Sequence, residues 1–242
     1  MTGISANKIK WIRSLHQKKH RDELGLFLIE GEKLVQEALY FLPHAVQFVA
    51  HTDEFELKST SIESTLVSPA ELTRISSLKS PNKVLAVVKK SNEQKAINSS
   101  GLTLVLDGIQ DPGNFGTILR IADWFGINDL VCSNDTVEIY NPKVVQSSMG
   151  AIYRVNVHYK KLSDWLKSES RPIYGALLQG KNAYKEELME DAILIMGNEG
   201  RGISKDLIPF ISHPLTIPAF GQAESLNVAV ATGILVSEFK RK

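Results

Sequence analysis

The sequence predicts an α/β protein in two parts: a small α/β domain over residues 1–90 and a larger α/β domain with a parallel sheet over residues 102–242. Three observations predict it. Strand-like and helix-like segments alternate along the chain, the pattern of layered α/β folds. Strand candidates of the second part are unbroken apolar runs such as Ala192-Ile193-Leu194-Ile195-Met196, which suit a parallel sheet covered on both faces. Between the parts the chain turns polar from Lys89 to Gly101, with little to bury, and residues 91–101 read as a linker.

The first part opens with a helix over Ser5–Gln17, whose Ile9, Ile12 and Leu15 share one face. Leu26–Ile29 is a short buried strand, and Gly31 opens a helix over Glu32–Tyr40 that Pro43 stops. Val46–Ala50 is the next strand. Ser68-Pro69-Ala70-Glu71 combines an N-cap, a first-turn proline and an early acid, so a helix starts there. Val84–Val88 is the last strand of this part. In the second part, strands are expected at Leu102–Leu106, Asp129–Cys132, Ile173–Leu178, Ala192–Met196 and Leu215–Ile217. Helices are expected near Gly116–Phe125, Pro142–Ile152, Leu162–Glu169 and Ser225–Lys240.

Composition excludes more than it assigns. The 242 residues are 43% hydrophobic and 23% charged, with a formal net charge of +1, so whole-chain charge names no partner. The distribution is more telling. Lys8, Lys10, Arg13, Lys18, Lys19 and Arg21 face only Asp22 and Glu23 in residues 1–25, and a second basic cluster spans residues 74–95. Charge gathered in this way attracts phosphates, although an unevenly charged solvated surface reads the same. Cys132 is the single cysteine, so an intrachain disulfide or a cysteine metal site is excluded. His16 and His20 have helical spacing, but Gln17-Lys18-Lys19 between them lacks the glutamate of a zinc-protease helix, and no metal is expected. No apolar run can span a bilayer, and the N-terminus lacks a signal-peptide core. The expectation is a cytoplasmic protein with no membrane partner.

Ligands of open α/β sheets bind beyond the carboxyl ends of the strands. Three strand ends in the second part carry unusual loops: Asp107–Gly116, running into a helix that contains Arg120; Met196–Gly202; and Ile217–Asn227. The first two are glycine-rich, which permits close backbone approach to a ligand, yet neither is a dinucleotide fingerprint or a P-loop. Singly, each is a structural turn before it is a site. Together they carry polar residues that tight turns do not need, namely Asn114, Glu199 and Asn227.

Asp107-Gly-Ile-Gln-Asp-Pro-Gly-Asn-Phe-Gly-Thr-Ile-Leu-Arg120 resembles the first motif of SpoU/TrmH-type RNA methyltransferases of the SPOUT superfamily. Ile195-Met-Gly-Asn-Glu-Gly-Arg-Gly-Ile-Ser204 resembles the second, and Ile217-Pro-Ala-Phe-Gly-Gln-Ala-Glu-Ser-Leu-Asn227 the third, in matching order and spacing over residues 102–240. Gln146 stands where the family usually has an arginine. Gly25–Leu39 resembles, more weakly, the substrate-binding extension of rRNA-directed members.

The resemblance implies a C-terminal SPOUT domain with a deep trefoil knot, S-adenosylmethionine as cofactor, a homodimer and methylation of a ribose 2′-hydroxyl in RNA. The N-terminal extension implies rRNA ahead of tRNA. By likeness, Asn114, Arg120, Glu199, Ser225 and Asn227 are the catalytic set. Leu178, Gly180, Gly197, Ile217 and Leu226 would hold the cofactor, and Lys18, Lys19, Arg21, Lys79 and Lys83 are expected to meet RNA. Arg120 either acts as base with help from an RNA phosphate, or only grips phosphate and polarises the hydroxyl; a guanidinium stays protonated under ordinary conditions. Outside the family context, Glu199 reads as a helix-start acid, Ser225 as the N-cap of the last helix and Asn227 as a first-turn polar residue. The alternatives are a tRNA ribose methyltransferase, a non-catalytic RNA-binding protein of the same fold, or an ordinary nucleotide-dependent α/β enzyme.

Overall fold

The computed structural model describes residues 3–58, 61–91 and 95–241. The chain divides into two compact units, Met1–Gln94 with Tyr140–Tyr153, and Lys95–Ile139 with Arg154–Lys242. The junction after residue 94 falls in the expected linker, of which residues 92–94 lie outside the described residues. That division differs from the contiguous second domain of the sequence reading. Residues 140–153 group with the first unit because their apolar side chains are buried there. Val145 sits in a cluster with Phe27, Ile29 and Val88, the Tyr140 ring lies 4.6 Å from Phe27, and the Tyr153 hydroxyl donates to the Leu34 carbonyl at 3.1 Å.

The first unit contains α1 (Ala6–Ser14), α2 (Lys18–Leu24), β1 (Leu26–Glu30), α3 (Glu32–Phe41), β2 (Val46–His51), β3 (Ser64–Leu66), α4 (Pro69–Ile75) and β4 (Val84–Lys89). Its sheet has the order β1-β4-β2-β3, with β4 antiparallel to both neighbours and β3 parallel to β2. Because strand side chains alternate between faces, β4 feeds two cores. Leu85 and Val87 join Ile12, Phe48 and Ile75 on one face. Val84, Ala86 and Val88 join Phe27, Val35 and Ala38 on the other. Ser68 and Glu71 form the expected capping box of α4.

The helix expected over residues 5–17 is α1, which stops short at Ser14, and the sequence reading did not include α2 after it. α1 ends at Ser14, and α2 closes on Gly25, whose φ of 64° is the left-handed cap that glycine adopts without strain. Arg21 bridges the break. It is 3% exposed, and its guanidinium donates to the Leu15 and His16 carbonyls at 3.0 and 2.9 Å. This overturns its place among RNA-facing residues, since its charge serves carbonyls left without partners at the end of α1. His16 and His20 consequently do not share a helix: His16 Nε2 meets the Ile75 carbonyl, and His20 Nδ1 meets Glu23.

The second unit contains β5 (Thr103–Asp107), α5 (Pro112–Trp124), β6 (Asp129–Ser133), β7 (Asn156–Lys160), α7 (Leu162–Leu166), β8 (Ile173–Asn182), β9 (Ile193–Gly197), β10 (His213–Thr216) and α8 (Val228–Lys240). The helix α6 (Pro142–Ser148) belongs to the first unit. The six strands run in the order β10-β8-β9-β5-β6-β7, every pair parallel. As the unbroken apolar runs require, β5 and β6 are buried throughout, with helices covering the sheet. Val105, Ile193 and Ile195 pack with Leu162 and Leu166 of α7. α5 and α8 lie against each other.

Candidate active site

The three loops flagged by sequence follow β5, β9 and β10, at the carboxyl ends of the parallel strands. The first leads into α5. Asp111 caps that helix by accepting the Asn114 amide N–H at 2.8 Å, and Pro112 occupies the first turn. The second loop folds back on itself: the backbones of Asn198 and Gly202 exchange two hydrogen bonds, with Glu199 on the turn between them. Gly197 stands at its base, where a Cβ would lie 2.3 Å from the Gly202 carbonyl carbon, so only glycine fits. The third loop ends at Asn227, which caps α8 by accepting the Ala229 and Val230 N–H groups at 3.0 and 3.2 Å.

These loops bring three of the five candidate catalytic residues into contact. Asn227 Nδ2 donates to Asn114 Oδ1 at 2.9 Å, and Asn114 Nδ2 donates to Glu199 Oε1 at 2.8 Å. The direction of this chain is dictated chemically. Asn227 must aim its oxygen at two N–H groups, so its amide nitrogen faces Asn114. Glu199, when ionised, accepts only, so Asn114 must show it the nitrogen. Both ends therefore fix the same orientation of Asn114.

Arg120 lies less than two turns further along α5, exposed, and its guanidinium forms no hydrogen bond or ion pair with the described residues. Ser225 is exposed in the loop and forms no hydrogen bond with the described residues. The generic readings of these positions need correction. Ser225 is not the N-cap of the last helix, which begins at Val228 with Asn227 as its cap, and Glu199 starts no helix but sits in a turn. Cys132 is fully buried, and burial pushes its thiol far above the ordinary range.

The candidate cofactor residues cluster around β8, β9 and β10. Pro214 pairs with Gly175 of β8, but the next residue, Leu215, pairs with Lys181, so residues 176–180 bow out of register. Leu178 is carried on that bow, 76% exposed. Gly180 lies so close to β10 that a Cβ would be 2.8 Å from the Pro214 carbonyl. Leu226 is half exposed and Ile217 partly so. Apolar side chains held in the open beside a glycine-lined backbone suit a flat, partly apolar ligand.

Residues 101–237 match the model of the SpoU rRNA methylase family, and residues 6–86 match an MRM3-like substrate binding domain. The chain belongs to the SpoU rRNA methylase family. Over 95% of its length it is 37% identical to the 23S rRNA (guanosine(2553)-2′-O)-methyltransferase RlmP of Bacillus subtilis, covering 94% of that protein. A solved TrmH-family chain from Porphyromonas gingivalis superposes with a TM-score of 0.86 at 41% identity, covering 98% of both chains. The AdoMet-bound rRNA methyltransferase from Sinorhizobium meliloti superposes with a TM-score of 0.86 at 25% identity, covering 99% of this chain and 96% of that one.

Within this SpoU family chain, sequence reasoning passed over Asp111, Asp135, Asn198 and Arg201. Asn198 and Arg201 lie inside the second motif and Asp111 inside the first, yet nothing in their spacing distinguishes support from chemistry. Among the expected RNA contacts other than Arg21, three are engaged with acids: Lys18 with Asp22 at 2.6 Å, Lys19 with Glu23 at 3.8 Å, and Lys83 with Glu32 at 3.1 Å. Lys79 is exposed and has no partner among the described residues. Among those residues, no helix is long and apolar enough to cross a membrane, and no group of His, Cys, Asp and Glu could hold a metal ion.

Proposed function

We propose that this SpoU family chain is an S-adenosylmethionine-dependent methyltransferase that methylates a ribose 2′-hydroxyl of rRNA. The observation that carries the reading is the directional chain Asn227–Asn114–Glu199, set in the three family motifs beside an unengaged Arg120. The RlmP resemblance over nearly the full chain, together with the match to a substrate binding domain, favours rRNA over tRNA. The cytoplasm is the compartment that goes with this reading.

When bound, S-adenosylmethionine supplies a methyl group on a sulfonium, and transfer to the 2′-oxygen leaves S-adenosylhomocysteine and a proton. Gly197, Gly180, Ile217, Leu178 and Leu226 would hold it, the glycines by backbone approach and the others by apolar contact. The trefoil knot is expected from the likeness to SpoU/TrmH chains. A guanidinium offers only donors, so the work of Arg120 is to grip an RNA phosphate and donate to the ribose hydroxyl. The hydroxyl proton passes to a phosphate oxygen or to water. Asn114 holds the ribose in line, its orientation locked from both sides, and Ser225, exposed in the third loop, is left to orient the substrate. Positioning of this sort can supply a large part of a bimolecular barrier.

A homodimer fits the surface of the second unit. α5 and α8 border a groove of about 610 Å³ lined by Ile121, Phe125, Tyr184, Val230 and Ile234, and Val230 is half exposed. An open apolar groove of this kind is seldom left uncovered.

The test is methyl transfer from labelled S-adenosylmethionine to undermodified rRNA and to tRNA, with wild type and Arg120→Ala, followed by nucleoside digestion. A 2′-O-methyl nucleoside in rRNA, lost in the variant, is expected. Transfer to tRNA alone would move the substrate. Failure to bind S-adenosylhomocysteine would leave a non-catalytic RNA-binding protein.

A further inference from the structure

We infer that Asn198, together with the Asp135–Arg201 ion pair, forms a clip that positions Glu199 against Asn114 for methyl transfer. The inference rests on the function proposed above for its catalytic consequence, and on contacts within the second unit for its geometry.

The clip closes through Gly108, the residue after β5, whose φ of 70° is left-handed. Both its backbone groups are taken by side chains from other loops. Its N–H donates to Ser133 Oγ at 2.8 Å, and its carbonyl accepts from Asn198 Nδ2 at 2.6 Å. Asn198 Oδ1 meanwhile accepts the Gly200 and Arg201 N–H groups at 2.9 and 3.1 Å, which shapes the turn that carries Glu199. Arg201 continues the path. Its Nη2 donates to Asp135 Oδ2 at 3.1 Å, and Asp135 Oδ1 accepts from Ser133 Oγ at 2.6 Å, returning to Gly108. The circuit thus ties the loops after β5, β6 and β9 together. The Ser133 hydrogen bond, and then Arg201, hold the Asp135 carboxyl below the usual range, so the ionised acceptor is the one in place.

Gly108 is the floor of the clip. A Cβ there would come within 2.9 Å of Arg201 Nη2 and 3.2 Å of Asp135 Oδ2. The far end of the turn is fixed as well, because buried Asp107 accepts the Ser204 N–H at 2.7 Å. Glu199 is exposed, and an exposed carboxylate hydrogen-bonded to an amide holds its place only weakly. What fixes it is the turn on which it stands. Asn198 uses three of its amide's four hydrogen-bonding positions to hold that turn. It is a positioning residue, without a place against substrate.

The decisive variant is Asn198→Asp. It keeps an oxygen for the Gly200 and Arg201 N–H groups, so the turn survives, but puts an acceptor against the Gly108 carbonyl, so the cross-loop bond is lost. Asn198→Ala and Asp135→Asn complete the set. Each would be measured for kcat and KM on an rRNA transcript, for melting temperature, and for hydrogen–deuterium exchange of segments 107–114 and 197–203 in the ligand-free protein. For Asn198→Asp, kcat is expected to fall about 10- to 100-fold with the RNA KM within about twofold, and both segments to exchange faster. A wild-type kcat in Asn198→Asp would overturn the clip, as would losses in kcat and KM that merely track a fall in melting temperature. If wild type itself transfers no methyl group, the functional reading fails separately. The exchange data then decide: faster exchange in both segments upholds the clip, and unchanged exchange refutes it.

Discussion

Asn227 has two jobs, and a pair of substitutions separates them. It caps α8 through its side-chain oxygen and orients Asn114 through its nitrogen. Asn227→Ala removes both. Loss of an asparagine cap costs about 0.5–2 kcal/mol, and for a chain of this size each kcal/mol lowers the melting temperature by roughly 2–4 °C. A drop of about 1–8 °C is expected, with about 2–4 °C for a cap of typical strength. Asn227→Asp keeps the cap, since aspartate accepts the same N–H groups and its charge suits a helix N-terminus by a few tenths of a kcal/mol. Its melting temperature should stay within about 2 °C of wild type. The nitrogen, however, is replaced by an acceptor facing Asn114 Oδ1. Asn114 can answer by flipping its amide, but that would turn its oxygen onto Glu199, so one of the two contacts must be acceptor against acceptor. Both variants should therefore lose about 100-fold in methyl transfer, the scale of a small misplacement of reacting groups, although only one loses stability. The assay is single-turnover transfer to rRNA beside calorimetric melting. A wild-type rate in Asn227→Asp would refute the claim that the direction of the hydrogen-bond chain orients Asn114.

The other predictions are briefer. Arg120→Lys keeps the charge but loses the planar fork, so kcat should fall 10- to 100-fold with S-adenosylhomocysteine affinity unchanged by calorimetry; an unimpaired kcat would reduce Arg120 to a point charge. Val230→Asp places a carboxylate in the groove between α5 and α8 and should turn a dimer into a monomer in sedimentation experiments, whereas an unchanged mass would put the interface elsewhere. Lys79→Glu with Lys19→Glu should weaken RNA binding and flatten its dependence on salt; an unaltered slope would remove these lysines from the phosphate path. Hydrogen bonds from Lys18 and Lys90 pull the Asp22 carboxyl down to about 2. A depressed folded-state value stabilises the protein above the ordinary carboxylate range and loses that contribution as pH falls toward 2. Asp22→Asn should therefore lower the melting temperature slightly at pH 6 and narrow its difference from wild type below pH 3, and a difference independent of pH would contradict the pairing.

What the sequence made legible follows burial. The central strands β5, β6 and β9 are apolar because both faces are covered, and a run such as Ile193–Met196 can hardly read otherwise. The edges are where the reading thinned. β7, Asn-Val-His-Tyr-Lys, is only partly buried, and β3 is three residues long and mostly exposed, so neither has a pattern to detect. The early end of α1 and the helix α2 were hidden for a different reason: the turn between them is stabilised by Arg21 donating to carbonyls, a tertiary use of a residue that composition assigns to the surface. The excursion of residues 140–153 into the first unit is likewise invisible locally, because Pro142–Ser148 is an ordinary amphipathic helix whichever core receives it.

The site divides along the same line. Asn114 and Glu199 could be named because each is a polar residue that its own turn does not require, and Asn227, although it also caps α8, because it ends the third such loop at the strand ends of one sheet. Ser225 and Arg120 came from family likeness alone, and the structure leaves both exposed and unbonded to the others, as groups that await a substrate would be. The residues that hold the site together are another matter. Asp111, Asp135 and Asn198 satisfy backbone N–H and carbonyl groups or neighbouring side chains across 3 to 90 positions of sequence, and a residue doing so has the same composition and spacing as one in any loop. Chemistry in this fold is therefore announced by residues that local structure cannot explain, whereas positioning is carried by residues that local structure explains too easily. That asymmetry is why Asn198, in the middle of a recognised motif, had to be found from its hydrogen bonds.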